Sequence, residues 1–162
     1  MNNESLQTIS VSMGGPMTTT HSLRILIVED DNNRVKKFQS WLPDDMRLVH
    51  ASSAGRVLGI LQRDRDVYAG IMLDHDLQIQ IATEHDFFLS GTNVVEWIIA
   101  LVRPDIPVLV HSMNPADAPL MVKRLNKAGF SVTRMPMSEL TEQQFAEWLG
   151  EVRECWAERG ER

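Results

Sequence analysis

The stretch LRILIVEDD, Leu23–Asp31, decides how this chain is read. A short aliphatic run with β-branched Ile25, Ile27 and Val28 passes without interruption into three carboxylates. An unbroken apolar run of this length, lacking the polar alternation of a half-buried strand, predicts a strand covered on both faces. Such strands belong to parallel sheets with helices on either side.

The chain on the C-terminal side repeats that pattern. Asn32 to Leu42 carries Val35, Phe38 and Leu42 at helical spacing, and Pro43 stops it. Met46 to Ala51 reads as a second strand, after which Ser52 or Ser53 caps a helix bearing Val57, Ile60 and Leu61. VYAGIML, Val67–Leu73, predicts a third strand ending at Asp74, and Thr92 to Leu101 a third helix. IPVLV, Ile106–Val110, predicts the fourth strand. Asn114-Pro115 then supplies a helix start, and the helix carries Leu120, Met121 and Leu125 to an end near Gly129. Phe130 to Thr133 predicts a short fifth strand, and Thr141 with Gln144 forms a capping box for a last helix with Phe145, Trp148, Leu149, Val152 and Trp156 on one broad face. Five successive βα units predict an α/β fold: a five-stranded parallel sheet in a three-layer sandwich. The expected organisation is a polar, disordered lead-in over residues 1–22, one domain over 23–157 and a solvent-exposed tail over 158–162.

Bulk properties narrow the function. The 162 residues are enough for one domain with a sizeable core. The 16 Lys and Arg against 22 Asp and Glu leave a net charge of −6, with no basic run beyond Lys36-Lys37. That field repels phosphate backbones and anionic bilayers, so neither nucleic acid nor membrane is an expected partner. No stretch is apolar for long enough to cross a bilayer, and the N-terminus lacks the pattern of a secretory signal. The single cysteine, Cys155, excludes an intrachain disulfide and reads as a helix-face thiol. A reducing, cytoplasmic setting is the expectation.

Sheets of this class place their sites beyond the carboxyl ends of the strands. The first strand ends in Glu29-Asp30-Asp31, the third in Asp74-His75-Asp76, and the fourth in His111-Ser112 with Asn114 just beyond. If strands one and three are neighbours, their carboxylates converge, and a hard divalent cation such as Mg²⁺ or Mn²⁺ relieves the repulsion. Asp31 reads instead as the cap of the next helix. His75, His85 and His111 read either as polar loop residues or as acid–base groups, and His111 stands out because it interrupts an apolar strand.

These residues resemble the receiver domains of two-component response regulators, over Leu23 to about Trp156. ILIVEDD (Ile25–Asp31), IMLDHDL (Ile71–Leu77) and IPVLVHS (Ile106–Ser112) are similar to the first, third and fourth strands of that family. The resemblance implies a flavodoxin-like strand order 2-1-3-4-5. It also implies Mg²⁺ held by Glu29, Asp30, Asp74 and the backbone carbonyl of Asp76, a phosphoryl acceptor at Asp74, and Ser112 bonding the phosphoryl oxygen. Two departures stand out. Receivers carry a lysine before a proline after the fifth strand, whereas here Met135 precedes Pro136. Arg134, the adjacent cation, joins Ser112 and Asn114 as a candidate phosphate ligand, although strand alternation turns it away from the face of Met135. The segment between Asp74 and Gly91 is also long, sixteen residues. Its alternating Leu77, Ile79 and Ile81, followed by Phe87-Phe88-Leu89, predict a small hairpin: a lid, an oligomer contact or a plain insertion.

DHDL (Asp74–Leu77) with HSMNP (His111–Pro115), supported by GTNVVEWI (Gly91–Ile98), resembles a narrower group, the cyclic-phosphate processing receiver domains. Three functions follow as expectations. A metal-dependent pocket would bind or hydrolyse a cyclic phosphate or nucleotide, with Asp74 or a metal-bound water attacking phosphorus and His111 or His75 protonating the leaving oxygen. A signalling receiver would instead accept phosphate on Asp74 from a sensor kinase. A pseudo-receiver would bind protein partners only.

Overall fold

The computed structural model describes residues 22–77 and 91–160. The predicted lead-in, the hairpin or lid after Leu77, and His85 fall outside the described residues. The elements are β1 (Leu23–Val28), α1 (Asn32–Trp41), β2 (Met46–Ala51), α2 (Ala54–Asp64), a 3₁₀ turn (Arg65–Val67), β3 (Tyr68–Leu73), α3 (Gly91–Leu101), β4 (Val108–Val110), α4 (Asp117–Lys127), β5 (Val132–Arg134) and α5 (Glu142–Gly160). The strands form one parallel sheet in the order β2-β1-β3-β4-β5.

Each central strand feeds two cores, because successive side chains point to opposite faces. Leu26, Val28, Ile71 and Leu73 pack with Val57 and Leu61 of α2, Val94 and Ile98 of α3, and Met121 and Leu125 of α4. Ile25, Ile27 and Met72 pack on the other face with Val35 and Phe38 of α1 and Phe145, Trp148 and Val152 of α5. All six residues of β3 are buried, as expected of a strand in the middle of a sandwich.

The boundaries differ from the sequence expectation where local chemistry intervenes. β4 begins at Val108 rather than Ile106: Pro107 has no N–H for the ladder, although its carbonyl accepts from Ile71 N at 3.1 Å. β5 begins at Val132 rather than Phe130, because the Phe130 amide bonds back to the Leu125 carbonyl and helps close α4. That closure passes through Gly129, whose φ of +94° is a conformation suited to glycine. α3 starts at Gly91, and β3 at Tyr68 behind the 3₁₀ turn. Asn114 caps as predicted, its Oδ1 accepting from the amides of Ala116 at 3.0 Å and Asp117 at 2.8 Å, and the regular helix begins at Asp117. The Thr141–Gln144 capping box forms, with the Gln144 amide donating to Thr141 Oγ1 and the Thr141 amide donating to Gln144 Oε1.

The expected solvent tail is corrected in part. Glu158 to Gly160 continue α5, and Arg159 ties that helix end to the sheet by donating to the Tyr68 carbonyl and pairing with Asp105. Cys155 is half-buried on α5; burial, followed by the charges of Glu151 and Glu158, pushes its thiol pKa up, away from reactivity. No helix among the described residues is long and apolar enough to cross a membrane.

Candidate metal centre

Register delivers the acidic cluster. Val28 of β1 pairs with Leu73 of β3, and the Asp74 amide donates to the Val28 carbonyl at 3.0 Å. Glu29 and Asp30 therefore leave one strand beside the point where Asp74 leaves the other. Glu29, Asp30 and Asp74 each offer an oxygen, and those atoms all lie within 4.8 Å of one another. Three carboxylates this close repel unless a cation joins them. An all-oxygen donor set with room for water suits a hard ion such as Mg²⁺ or Mn²⁺ rather than one preferring nitrogen or sulfur. The cluster borders a cavity of about 300 Å³ lined by Asp30, Asp31, Arg34, Asp74, Asp76 and Met113.

Within the cluster the three carboxylates are held differently. Glu29 is fully buried. Its Oε1 accepts from the Asp31 amide at 2.9 Å and its Oε2 from His111 Nε2 at 3.0 Å. Burial pushes its pKa up, but the His111 bond, the Asp31 amide and the charges of His111 and Arg34 together outweigh burial and hold it below the usual carboxylate range. Asp74, 3% exposed, lines the cavity; its Oδ1 accepts from the His75 amide at 2.7 Å and its Oδ2 lies 3.3 Å from Arg34 Nη1. Asp31 caps α1 as predicted, accepting from the Asn33 amide at 2.8 Å.

Several predicted site residues sit elsewhere than expected. His111 is fully buried and does not line the cavity; its ring packs edge-on against Phe38, centroids 5.4 Å apart, and it meets the site only through Glu29. The imidazole proposed for protonating a leaving group thus meets the Glu29 carboxylate rather than the cavity. Ser112 is also fully buried, with Oγ accepting from the Asn114 amide at 3.2 Å, so it presents no hydroxyl to the cavity surface.

His75 turns toward α3 and α4 rather than into the cavity. Its Nδ1 lies 2.9 Å from Asp76 Oδ1, and its Nε2 lies 3.4 Å from Thr92 Oγ1 and 3.7 Å from Asp117 Oδ2. Asp76 does reach the cavity, and its carboxylate also accepts from Asn114 Nδ2 at 3.0 Å. The His75 and Asn114 bonds hold the Asp76 carboxyl below its ordinary pKa. Asn114 thus links the loop after β3 to the start of α4. Arg134 is exposed at the end of β5, paired with Val110, and lines no part of the cavity, while Met135 packs into the α1/α5 core.

Two residues escaped the sequence reading. Arg34 of α1 is the one cation lining the cavity among the described residues. Nothing in the sequence separates it from its surface neighbours Lys36 and Lys37, and only the turn of α1 around the Asp31 cap aims it inward. His50 of β2 bonds the Glu29 carbonyl through Nε2 at 2.6 Å, bracing the first acid from the sheet side.

Gly91 is fixed by contact. A Cβ there would lie 2.7 Å from the Cα of His75, inside any normal separation. Gly91→Ala is expected to push the Asp74–Asp76 loop aside, lower stability by about 1–3 kcal/mol as overpacking does, and weaken divalent-ion binding. Thermal melts with and without Mn²⁺ check both effects, and an unchanged response to Mn²⁺ would contradict the coupling.

A parallel 2-1-3-4-5 sheet with acids at the ends of β1 and β3 defines a receiver-type domain. Residues 24–127 match the family model described as the cyclic-phosphate processing receiver domain, and the chain belongs to that family. No curated protein matches the chain in sequence. Among solved structures, it is similar to the signal receiver domain of an HD domain-containing protein from Pseudomonas fluorescens Pf-5, with a TM-score of 0.64 at 14% identity over 94% of this chain and 98% of that one. It is also similar to a response regulator receiver domain protein from Clostridium thermocellum, with a TM-score of 0.61 at 16% identity, covering 85% and 97% of the two chains. A third is the receiver domain of a sensor histidine kinase from Pseudomonas aeruginosa PAO1, solved with magnesium coordinated in its active-site cleft, with a TM-score of 0.59 at 16% identity over 81% of this chain and 98% of that one. Identities this low establish the shared fold.

Proposed function

We propose that this domain binds Mg²⁺ at Glu29, Asp30 and Asp74 and holds a cyclic phosphate ester there for hydrolysis, in which water adds to phosphorus, one ring P–O bond breaks and the proton given up by the water passes to the leaving oxygen. The observation that carries this reading is the convergence of three carboxylate oxygens within 4.8 Å at the border of an open, polar cavity. Membership of a family described as cyclic-phosphate processing supports the substrate class, and the magnesium held in the cleft of the Pseudomonas aeruginosa relative supports the metal. When bound, the ion would neutralise charge on the phosphate oxygens. The chain's own residues do the rest: Asp74 lines the cavity, Asp76 and Asn114 fix the loop that carries it, and His111 keeps Glu29 in place.

The test is incubation of the protein and Mg²⁺ with 2′,3′- and 3′,5′-cyclic nucleotides, beside Asp74→Asn. Turnover by the wild type and loss in the variant are expected; no turnover, with binding unchanged by Asp74→Asn, contradicts the reading.

A second reading, phosphoryl acceptance on Asp74 from a sensor kinase, is favoured by the place of Asp74 in the lining of the cavity. Beryllium fluoride, a tetrahedral phosphoryl mimic, separates the two. Tight, metal-dependent capture without cyclic-ester turnover selects the signalling reading.

A further inference from the structure

Arg34 occupies an unexpected place. Its Nη1 lies 3.3 Å from Asp74 Oδ2 and 3.6 Å from Glu29 Oε2, and its Nε lies 3.8 Å from Asp31 Oδ2. A single nitrogen therefore bridges two of the three carboxylates that a divalent ion would take. The residue stands in the first turn of α1, where the helix dipole disfavours a cation, so local helix energetics do not explain it. The carboxylates beside it do. About a third of the side chain remains exposed, enough for it to swing on its own bonds while α1 stays in place.

The electrostatics of the cavity pose a second requirement. Four of its six lining residues are acids. A phosphate ester entering it meets repulsion that one divalent ion, shared among three carboxylates, only partly cancels. The slot that carries a lysine in the resembling receivers holds Met135, packed into the core, and Arg134 points elsewhere. Among the described residues, Arg34 is the remaining cation at the cavity, and its planar fork of N–H donors matches phosphate oxygens.

We infer that Arg34 is the phosphate-binding cation of this site, held among the carboxylates until a divalent ion displaces it and frees its guanidinium for the anion. The inference rests on the proposed metal and phosphate reading. In the ion-free state Nη1 stabilises Asp74 and Glu29 and competes with the metal. Once the ion takes those oxygens, Arg34 is left with its 3.8 Å contact to Asp31 and turns its fork to the cavity mouth. Metal and arginine thus act in sequence, and the site assembles its anion pocket only when charged with metal.

Three proteins test this: wild type, Arg34→Gln and Arg34→Lys, each checked for an unchanged circular dichroism spectrum and titrated with Mn²⁺ and then, metal-loaded, with beryllium fluoride. Arg34→Gln should bind Mn²⁺ about two- to fivefold more tightly than wild type, the effect of removing a partly exposed competing cation. The same variant should bind beryllium fluoride about 10- to 100-fold more weakly, the loss of a charge-assisted contact. Arg34→Lys should fall between them in anion binding. Mn²⁺ affinity that is unchanged or weaker in Arg34→Gln overturns the competition, and undiminished anion binding overturns the clamp, each with the metal site left standing. A wild type that takes up no Mn²⁺ at all overturns the metal reading and this inference with it.

Discussion

Replacing His111 by alanine is expected to cost the fold about 1–3 kcal/mol, the range for leaving a buried hydrogen-bonding group without its partner. The reason lies in where the pair sits. Both side chains are fully buried, and the bond from His111 Nε2 to Glu29 Oε2 is 3.0 Å long. Without the imidazole, the buried Glu29 carboxylate keeps the Asp31 amide and Arg34 but loses its bond to Nε2, and Phe38 loses a packed neighbour. Glu29→Gln is the companion variant. If the two residues act as a unit, the double variant should lose less than the sum of the single losses, by about 0.5–3 kcal/mol. Strict additivity in urea melts would contradict the coupling. The same pair gives a sign for acid. The folded-state pKa of Glu29 lies below its ordinary value of 4.5, so its contribution is full above that value and is lost as pH falls through the depressed folded-state value.

Asp74→Asn and Asp30→Asn carry the second large effect, on metal affinity. Changing groups that merely support a metal ligand typically costs about 10–100-fold in affinity, and a direct carboxylate ligand should cost at least that. Ion binding to the folded state alone also stabilises it, by about 2.7 kcal/mol when the free ion is a hundredfold above its dissociation constant. The wild type should therefore melt higher in Mg²⁺ or Mn²⁺, and at the same ion concentration a variant with tenfold weaker affinity should keep only about 1.4 kcal/mol of that stabilisation and show a correspondingly smaller rise. The variants differ in a useful way. Asp74 pairs with Arg34 and anchors the His75 amide, so its loss also disturbs the loop. Asp30 is half-buried and lines the cavity, which makes it the better probe of the ion itself.

Much of the fold is visible in the apolar runs. Leu23–Val28 and Tyr68–Leu73 announce buried parallel strands, and the caps at Asp31, Ser53, Asn114 and Thr141 punctuate the helices through local hydrogen bonds that depend only on neighbouring residues. The short strands β4 and β5 are harder, since their limits depend on a missing proline donor and on how α4 closes. Of the site, the acids at the strand ends are legible because parallel strands bring their carboxyl ends to one rim. The direction of a side chain is not. His111 and Ser112 extend an apolar strand and follow it into the interior, so the features that made them conspicuous also bury them. Arg34 lies on a helix whose other charges face solvent, and its inward turn depends on tertiary geometry. Met135 occupies a position where the family pattern expects a charge, and the cation at the cavity comes from the opposite side of the site.

The most direct test is an equilibrium Mn²⁺ titration of the wild type and Asp30→Asn at neutral pH. One ion per chain is expected in the wild type, and affinity weakened by at least about tenfold in the variant. No binding by the wild type, or equal binding by both proteins, would contradict this expectation.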